Sequence, residues 1–159
     1  VVPPNAPVRI ASALLRLHTG PSFRDDFNIF RLTERYLGVV DERSNQIPDG
    51  YSEHLAAIPR IESALAAHPL PTVPCHNDLL AENYLDDGTR LRIVDYEYSG
   101  TNDPTFELGN TAQELGFDAA RQEALCAAYF GAARFAADGP ALLARRRLQR
   151  TISGVGWPL

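Results

Sequence analysis

Asp78, Asn83 and Asp95 carry side chains that can act together on a phosphoryl group. Phosphoryl transfer asks mostly for positioning and for neutralised charge. An alcohol is a poor nucleophile unless a neighbouring group accepts its proton. A carboxylate at Asp78 can orient a hydroxyl and take that proton as the new bond forms. Mg²⁺ prefers oxygen ligands and keeps several waters; Asn83 offers an amide oxygen and Asp95 a carboxylate. His76 joins the catalytic set as a support, propping the loop of Asp78 through hydrogen bonds. Glu82, Asp86 and Asp87 read as solvated turn residues.

The spacing sharpens the reading. His76-Asn77-Asp78-Leu79-Leu80-Ala81-Glu82-Asn83 has the form H-x-D-L-x-x-x-N, the spacing of a kinase catalytic loop. An apolar run, Ile93-Val94, then ends in Asp95, where such an enzyme holds its metal. Between the two lies a short hairpin: a strand over 83–85, Asp86-Asp87-Gly88 as a tight turn, and a strand over 91–94. Folding the hairpin brings its two end loops, and so Asp78, Asn83 and Asp95, to one cleft.

Helices must carry that hairpin. From Pro7 the apolar residues Ile10, Leu14 and Leu17 share a face, and His18-Thr19-Gly20-Pro21 stops the helix. His18 reads as a packed helix-end residue. Ser22 is the predicted N-cap of a second helix. Phe23, Phe27, Phe30 and Leu37 form its stripe, out to about Val40. Residues 41–50 are polar, with Pro48-Asp49-Gly50 as turn chemistry. A helix over 51–68 carries Leu55, Ile58, Ile61 and Leu65, with Pro59 a kink or a break. Pro69, Pro71 and Pro74 bracket a run reaching Cys75. After Pro104 helices return: 104–115, ending at Gly116; about 118–136, capped by Asp118; and a last one opened by Asp138-Gly139-Pro140. The predicted class is α+β, mainly α.

Composition excludes several alternatives. The 159 residues suffice for one compact domain. No stretch approaches the roughly 20 apolar residues of a membrane span, and no signal peptide is visible. A net charge of −5 argues against a nucleic-acid binder. The basic cluster Arg145, Arg146, Arg147 and Arg150 reads as a solvated helix end. Cys75 and Cys126 are far apart and lie in no zinc spacing, which fits a reducing cytoplasm. Cys75 reads as a small core residue. The chain has no methionine and stops at Trp157-Pro158-Leu159 within a continuing pattern, so a piece of a larger protein is expected.

Pro74 to Leu80 and Asn83 resemble the choline/ethanolamine kinases, relatives of the aminoglycoside phosphotransferases that share a protein-kinase-like fold. Asn77 after the histidine matches the choline kinase version, and aminoglycoside enzymes more often carry Gly there. Asp95-Tyr96-Glu97-Tyr98-Ser99-Gly100 and Phe106-Glu107-Leu108-Gly109-Asn110 extend the match, which is tightest over 74–116. The resemblance implies the C-terminal catalytic lobe of a protein-kinase-like enzyme over 1–159, using ATP and Mg²⁺. It implies Asp78 as catalytic base, Asn83 and Asp95 as cofactor and magnesium ligands, and Glu97 as support of the metal site. It places Tyr98, Glu114 and Trp157 in a pocket for a choline-like alcohol, where aromatic faces and a carboxylate suit a quaternary ammonium.

Departures from the family pattern are as informative. Family members usually have Asp in place of Glu107, so the longer side chain is expected to shift the support of the metal loop. Gly100-Thr101-Asn102-Asp103 looks more like the bacterial branch. No Gly-rich loop precedes a strand near the start, and no lysine is placed to grip a nucleotide. The nucleotide-binding N-terminal lobe is therefore expected to be absent from this chain, and the piece alone to have little or no kinase activity. The acceptor stays open between choline or ethanolamine, thiamine and an aminoglycoside. A kinase-like module that only binds a ligand is the alternative outside the enzyme class. A hydrolase using Asp78 and His76 ranks below both, since no Ser or Cys sits in an elbow motif.

Overall fold

The computed structural model describes residues 3–47 and 51–156, so Pro48-Asp49-Gly50 and Trp157 lie outside the described residues. Among the described residues seven α-helices surround two small antiparallel sheets. In chain order they are α1 (Ala6–His18), α2 (Ile29–Glu42), α3 (Tyr51–Leu55), α4 (Ile58–Ala67), β1 (Val73–Cys75), β2 (Tyr84–Asp86), β3 (Leu91–Ile93), β4 (Gly100–Asn102), α5 (Pro104–Glu114), α6 (Ala119–Phe130) and α7 (Ala132–Gly156). β2 pairs with β3, Leu85 opposite Arg92; β1 pairs with β4, Pro74 opposite Thr101. The mainly helical α+β class holds, and the hairpin falls within a residue of its expected bounds.

Helix α5 is the hub. A helix apolar on one face buries only that face, yet every residue of α5 from Pro104 to Ala112 is buried. One side, Leu108 and Ala112, joins Ile10 and Leu14 of α1, Leu125 and Cys126 of α6, and Leu79 of the catalytic loop. The other, through Phe106, joins Ile29 and Phe30 of α2, Ile61 and Leu65 of α4, and Ile152 of α7. The hairpin rests on the first cluster through Tyr84, Leu91 and Ile93. Gly109 lets α5 and α7 close together: a β-carbon there would lie 2.9 Å from Arg146 O and Arg150 N. Asp103 caps α5 by accepting from Thr105 N at 2.8 Å.

Three expectations are corrected, and one left open is decided. The second helix starts at Ile29, not after Ser22, and its cap is Asn28, which accepts from Phe30 N and Arg31 N at 3.0 and 3.2 Å. The segment before it is drawn out along β4 instead: Thr101 N donates to Asp25 O at 2.9 Å and Phe27 N to Thr101 O at 3.0 Å. Over 51–68 the break, not the kink, holds: there are two helices, with Pro59 in the first turn of the second, where its missing N–H costs nothing. The helix expected over 118–136 stops at Phe130. Gly131, at φ 82, makes the turn. Helix α7 then runs through Asp138, Gly139 and Pro140 rather than starting there. Pro140 and Ala136, whose carbonyl it leaves unmatched, are both exposed, so water can take that bond.

The arginine cluster divides: Arg147 and Arg150 are exposed, as a solvated helix end requires, whereas Arg145 and Arg146 are not. Arg145 forms an ion pair with Asp103, Nε to Oδ2 at 2.6 Å, and its Nη1 donates to Leu65 O and His68 O at 2.8 and 2.9 Å. One residue thus ties α7, the start of α5 and the end of α4. Arg146 is 1 % exposed, donates to Gln122 at 2.6 Å, and has its pKa pushed down by burial. Among the described residues no helix is long and apolar enough to cross a membrane.

Candidate active site at the ends of the hairpin

The catalytic loop leaves β1 at Cys75, which is fully buried as expected of a small core residue. Asn77 then adopts φ 72, a left-handed conformation that Asn tolerates better than most residues. Its side chain staples the turn: Nδ2 donates to Tyr98 O at 3.0 Å, while Oδ1 accepts from Asn102 Nδ2 at 2.9 Å. Leu79, fully buried, anchors the loop to the core. A 3₁₀ turn, Ala81–Asn83, leads into β2.

His76 is a prop, as its position suggested. Its Nε2 donates to Val94 O at 2.8 Å, and Nδ1 accepts the Asp78 N–H at 3.2 Å. Those bonds require the Nε2–H tautomer. The ring also meets Tyr96 edge-on, centroids 4.8 Å apart. Val94 precedes Asp95, so one imidazole spans the two loops. Asn83 adds a second tie: Val94 N donates to Asn83 O at 3.1 Å, and Asn83 Nδ2 donates to Asp78 O at 2.8 Å.

These ties bring Asp78, Asn83 and Asp95 to one place. Asp78 is half-buried, and its pKa is raised. Burial is the main cause, the nearby Asp95 charge adds to it, and His76 opposes it. Asp95 is exposed and sits at φ 68, the second strained non-glycine residue of the site. Since Nδ2 of Asn83 is committed to Asp78 O, the side-chain oxygen is what Asn83 can offer a cation. With the Asp95 carboxylate, that is an all-oxygen donor set, which fits a hard divalent ion.

Of the residues implied by the resemblance, Glu97 and Tyr98 lie in the turn just beyond Asp95, closed by Ser99 N donating to Tyr96 O at 3.1 Å. Tyr98 hydrogen-bonds Tyr36 of α2, and its pKa is raised by that bond first and also by the Glu97 and Asp78 charges. Asp78, Glu97 and Tyr98 therefore share a neighbourhood. Glu114 is exposed in the last turn of α5, and among the described residues no hydrogen bond or ion pair joins it to that neighbourhood.

One contributor escaped the sequence reading, and another is found on a different loop. Tyr36 was hidden among the polar positions of an amphipathic helix; a tyrosine there is the one signal it gave. Glu107 was expected to bear on the metal loop. It bears on the catalytic loop instead: Oε1 accepts from His76 N at 2.5 Å and Asn77 N at 2.8 Å.

A catalytic loop, a β-hairpin and a metal-type loop on a helical base define the lobe of a phosphotransferase. Residues 2–145 match the family described as phosphotransferase enzymes (APH), and the chain belongs to that family. Within it the likeness runs to the choline/ethanolamine kinases. A solved structure of a choline/ethanolamine kinase family protein from Mesorhizobium loti superposes with a TM-score of 0.84 at 37% identity, over 97% of this chain and 52% of that one. Choline kinase LicA from Streptococcus pneumoniae gives 0.74 at 27%, over 94% and 53%. Protein LicA of Haemophilus influenzae is 31% identical over 112 residues, 67% of this chain and 40% of that protein. The chain thus spans about half the length, or less, of these relatives. Family membership implies a nucleotide donor and a divalent cation.

Proposed function

We propose that this chain is the catalytic lobe of an enzyme that moves the γ-phosphate of ATP to the hydroxyl of choline or a related amino alcohol. The observation that carries the reading is the convergence of a half-buried Asp78 with Asn83 and Asp95 across the hairpin, held by His76. In this reading Asp78 orients the acceptor hydroxyl and takes its proton. A raised pKa suits that task, since a more basic carboxylate is the better proton acceptor. Asn83 and Asp95 hold Mg²⁺, which neutralises charge on the transferred group, and Glu97 supports them.

The acceptor is assigned on Tyr98 and on the relatives. Tyr98 feels the charges of Asp78 and Glu97 and hydrogen-bonds Tyr36, and an aromatic ring beside carboxylates suits a cationic head group. The family resemblance, not a contact among the described residues, adds Trp157 and Glu114 to this pocket. The Gly-rich and lysine elements that clamp a nucleotide come from outside these 159 residues, so the lobe alone turns over little or no ATP. The two unpaired, buried cysteines fit a cytoplasmic setting.

The test is ATP consumption by the protein with its N-terminal lobe present, supplied in turn with choline, ethanolamine, thiamine and kanamycin. Choline- or ethanolamine-dependent turnover is expected. Turnover with thiamine or kanamycin alone would move the acceptor assignment. Binding of choline without turnover would favour a module that only holds its ligand.

A further inference from the structure

The Glu107 carboxylate that holds the catalytic loop is itself held. Its second oxygen, Oε2, is hydrogen-bonded to Nε2 of His18, the last residue of α1. Nδ1 of His18 lies 2.5 Å from the hydroxyl of Tyr129 on α6, the rings meeting edge-on. A continuous chain therefore runs from Tyr129 through His18 and Glu107 to the N–H groups of His76 and Asn77. Nearly all of it is shut away from water: Glu107 and His76 are 0 % exposed, Asn77 1 % and His18 6 %.

We infer that His18 is a positioning residue: braced by Tyr129, it fixes the Glu107 carboxylate whose other oxygen carries the catalytic loop, so that α1 and α6 together set the aim of Asp78. The consequence for catalysis rests on the function proposed above; the anchoring of the loop does not.

A buried carboxylate is tolerated only when its oxygens are matched by donors. Glu107 meets this with three: two main-chain N–H groups on one oxygen and the imidazole on the other. Removal of His18 leaves Oε2 bare in a sealed site. The carboxylate must then turn towards another donor or take a proton, and either change weakens its hold on His76 and Asn77. That hold matters because Asn77 stands in the left-handed region, which a residue with a β-carbon does not favour unaided. Asp78 follows immediately, and its N–H is already committed to His76.

A metal ion is the competing reading. His18, Cys75 and Glu107 have donor atoms all within 4.8 Å of one another. Two facts oppose it. The imidazole and the carboxylate are in direct hydrogen-bond contact, which leaves no space for an ion between them. Burial, with the charges of Glu107 and Asp103, pushes the Cys75 thiol pKa up, away from the thiolate a metal requires.

Amide hydrogen exchange on the intact protein tests the inference without any substrate. Replacing the ring donor by His18→Phe is expected to speed exchange at His76 and Asn77 by about 10- to 100-fold, the range for hydrogen bonds to a charged group. Amides in the middle of α7 should keep their rates. His18→Gln, whose amide nitrogen can stand where Nε2 stands, should restore most of the protection. Tyr129→Phe, which deletes one hydroxyl and keeps the packing, should give a smaller acceleration at the same two amides and serves if His18→Phe does not fold. In turnover assays, kcat should fall in His18→Phe and recover in His18→Gln, with KM for ATP and acceptor unchanged. Unchanged exchange at His76 and Asn77 in the folded variants would overturn the inference, as would equal acceleration throughout α7. A wild-type protein without phosphotransfer, but with the expected exchange pattern, would sink the functional reading and leave the anchoring intact.

Discussion

The side-chain amide of Asn83 donates to the main-chain carbonyl of Asp78 at 2.8 Å. The residue proposed to offer a cation its oxygen therefore also latches the loop of the proposed base. The bond settles which way round the amide lies, because the carbonyl of Asp78 can only accept. It also means that the two halves of the site cannot be altered separately at this position.

Asn83→Asp tests that double role. The substitution adds a charge that a cation should welcome, yet it exchanges a donor for an acceptor facing the Asp78 carbonyl. If Asn83 served the metal alone, the variant would bind Mg²⁺ at least as well and keep its turnover. The latch predicts instead a loss in kcat of at least about tenfold, the equivalent of roughly 1.4 kcal/mol. Steady-state kinetics over a Mg²⁺ titration separate the two, since saturating metal should not rescue the rate.

Asp78→Asn should abolish most of the turnover, by about 10²- to 10⁴-fold, as expected on removing a general base. The same change should stabilise the fold at neutral pH. The folded-state pKa of Asp78 is raised, chiefly by burial. Folding thus favours its protonated form, and the associated stability is present below the unfolded pKa and lost as pH rises through the folded one. Asparagine mimics the protonated state at every pH. Urea midpoints should therefore favour the variant near pH 7, and the difference should close below roughly pH 4. The wild-type kcat/KM profile should have its acidic limb above the ordinary carboxylate range.

Much of the site could be read from sequence because its parts are local. Asp78 and Asn83 are five residues apart, and the Asp86-Asp87-Gly88 turn returns the chain to Asp95. What escaped depends on long-range contacts. Nothing around Ser22 says that residues 25–27 will be taken up by the edge of β4, seventy-odd residues later, and so a helix capped at Ser22 is expected six residues too early. The expected break at Asp138-Gly139-Pro140 lies past the real one: the chain turns at Gly131, whose φ of 82 glycine adopts at no steric cost. Arg145 and Arg146 looked solvated because charge normally is; their partners, Asp103 and Gln122, lie 42 and 24 positions away.

The Asp103–Arg145 pair should be costly to break from one side. Asp103 is 7 % exposed, and its oxygens also serve Thr105 and Gln149. Arg145→Ala leaves that carboxylate without its cation and frees the carbonyls of Leu65 and His68. The expected loss is about 3 kcal/mol or more, typical of a buried pair broken by removing one partner. The double change Arg145→Met with Asp103→Asn should recover part of it, since no uncompensated charge remains. Urea denaturation of the three proteins measures both figures.

Gly109→Ala should reach the active site through the backbone. The added methyl would meet Arg146 O and Arg150 N of α7 at 2.9 Å, both main-chain atoms that cannot swing aside. The two helices must part, at a cost of about 1–3 kcal/mol by the usual scale for overpacking. Glu107 stands two residues earlier on the same helix, with its carboxylate set against the N–H groups of His76 and Asn77. A shift of α5 large enough to admit a methyl group therefore moves the anchor of the catalytic loop. Gly109→Ala is expected to lower both the urea midpoint and kcat, with faster amide exchange at His76 and Asn77. A variant that loses stability yet keeps wild-type kcat and exchange at those two amides would show that the catalytic loop holds its place independently of α5.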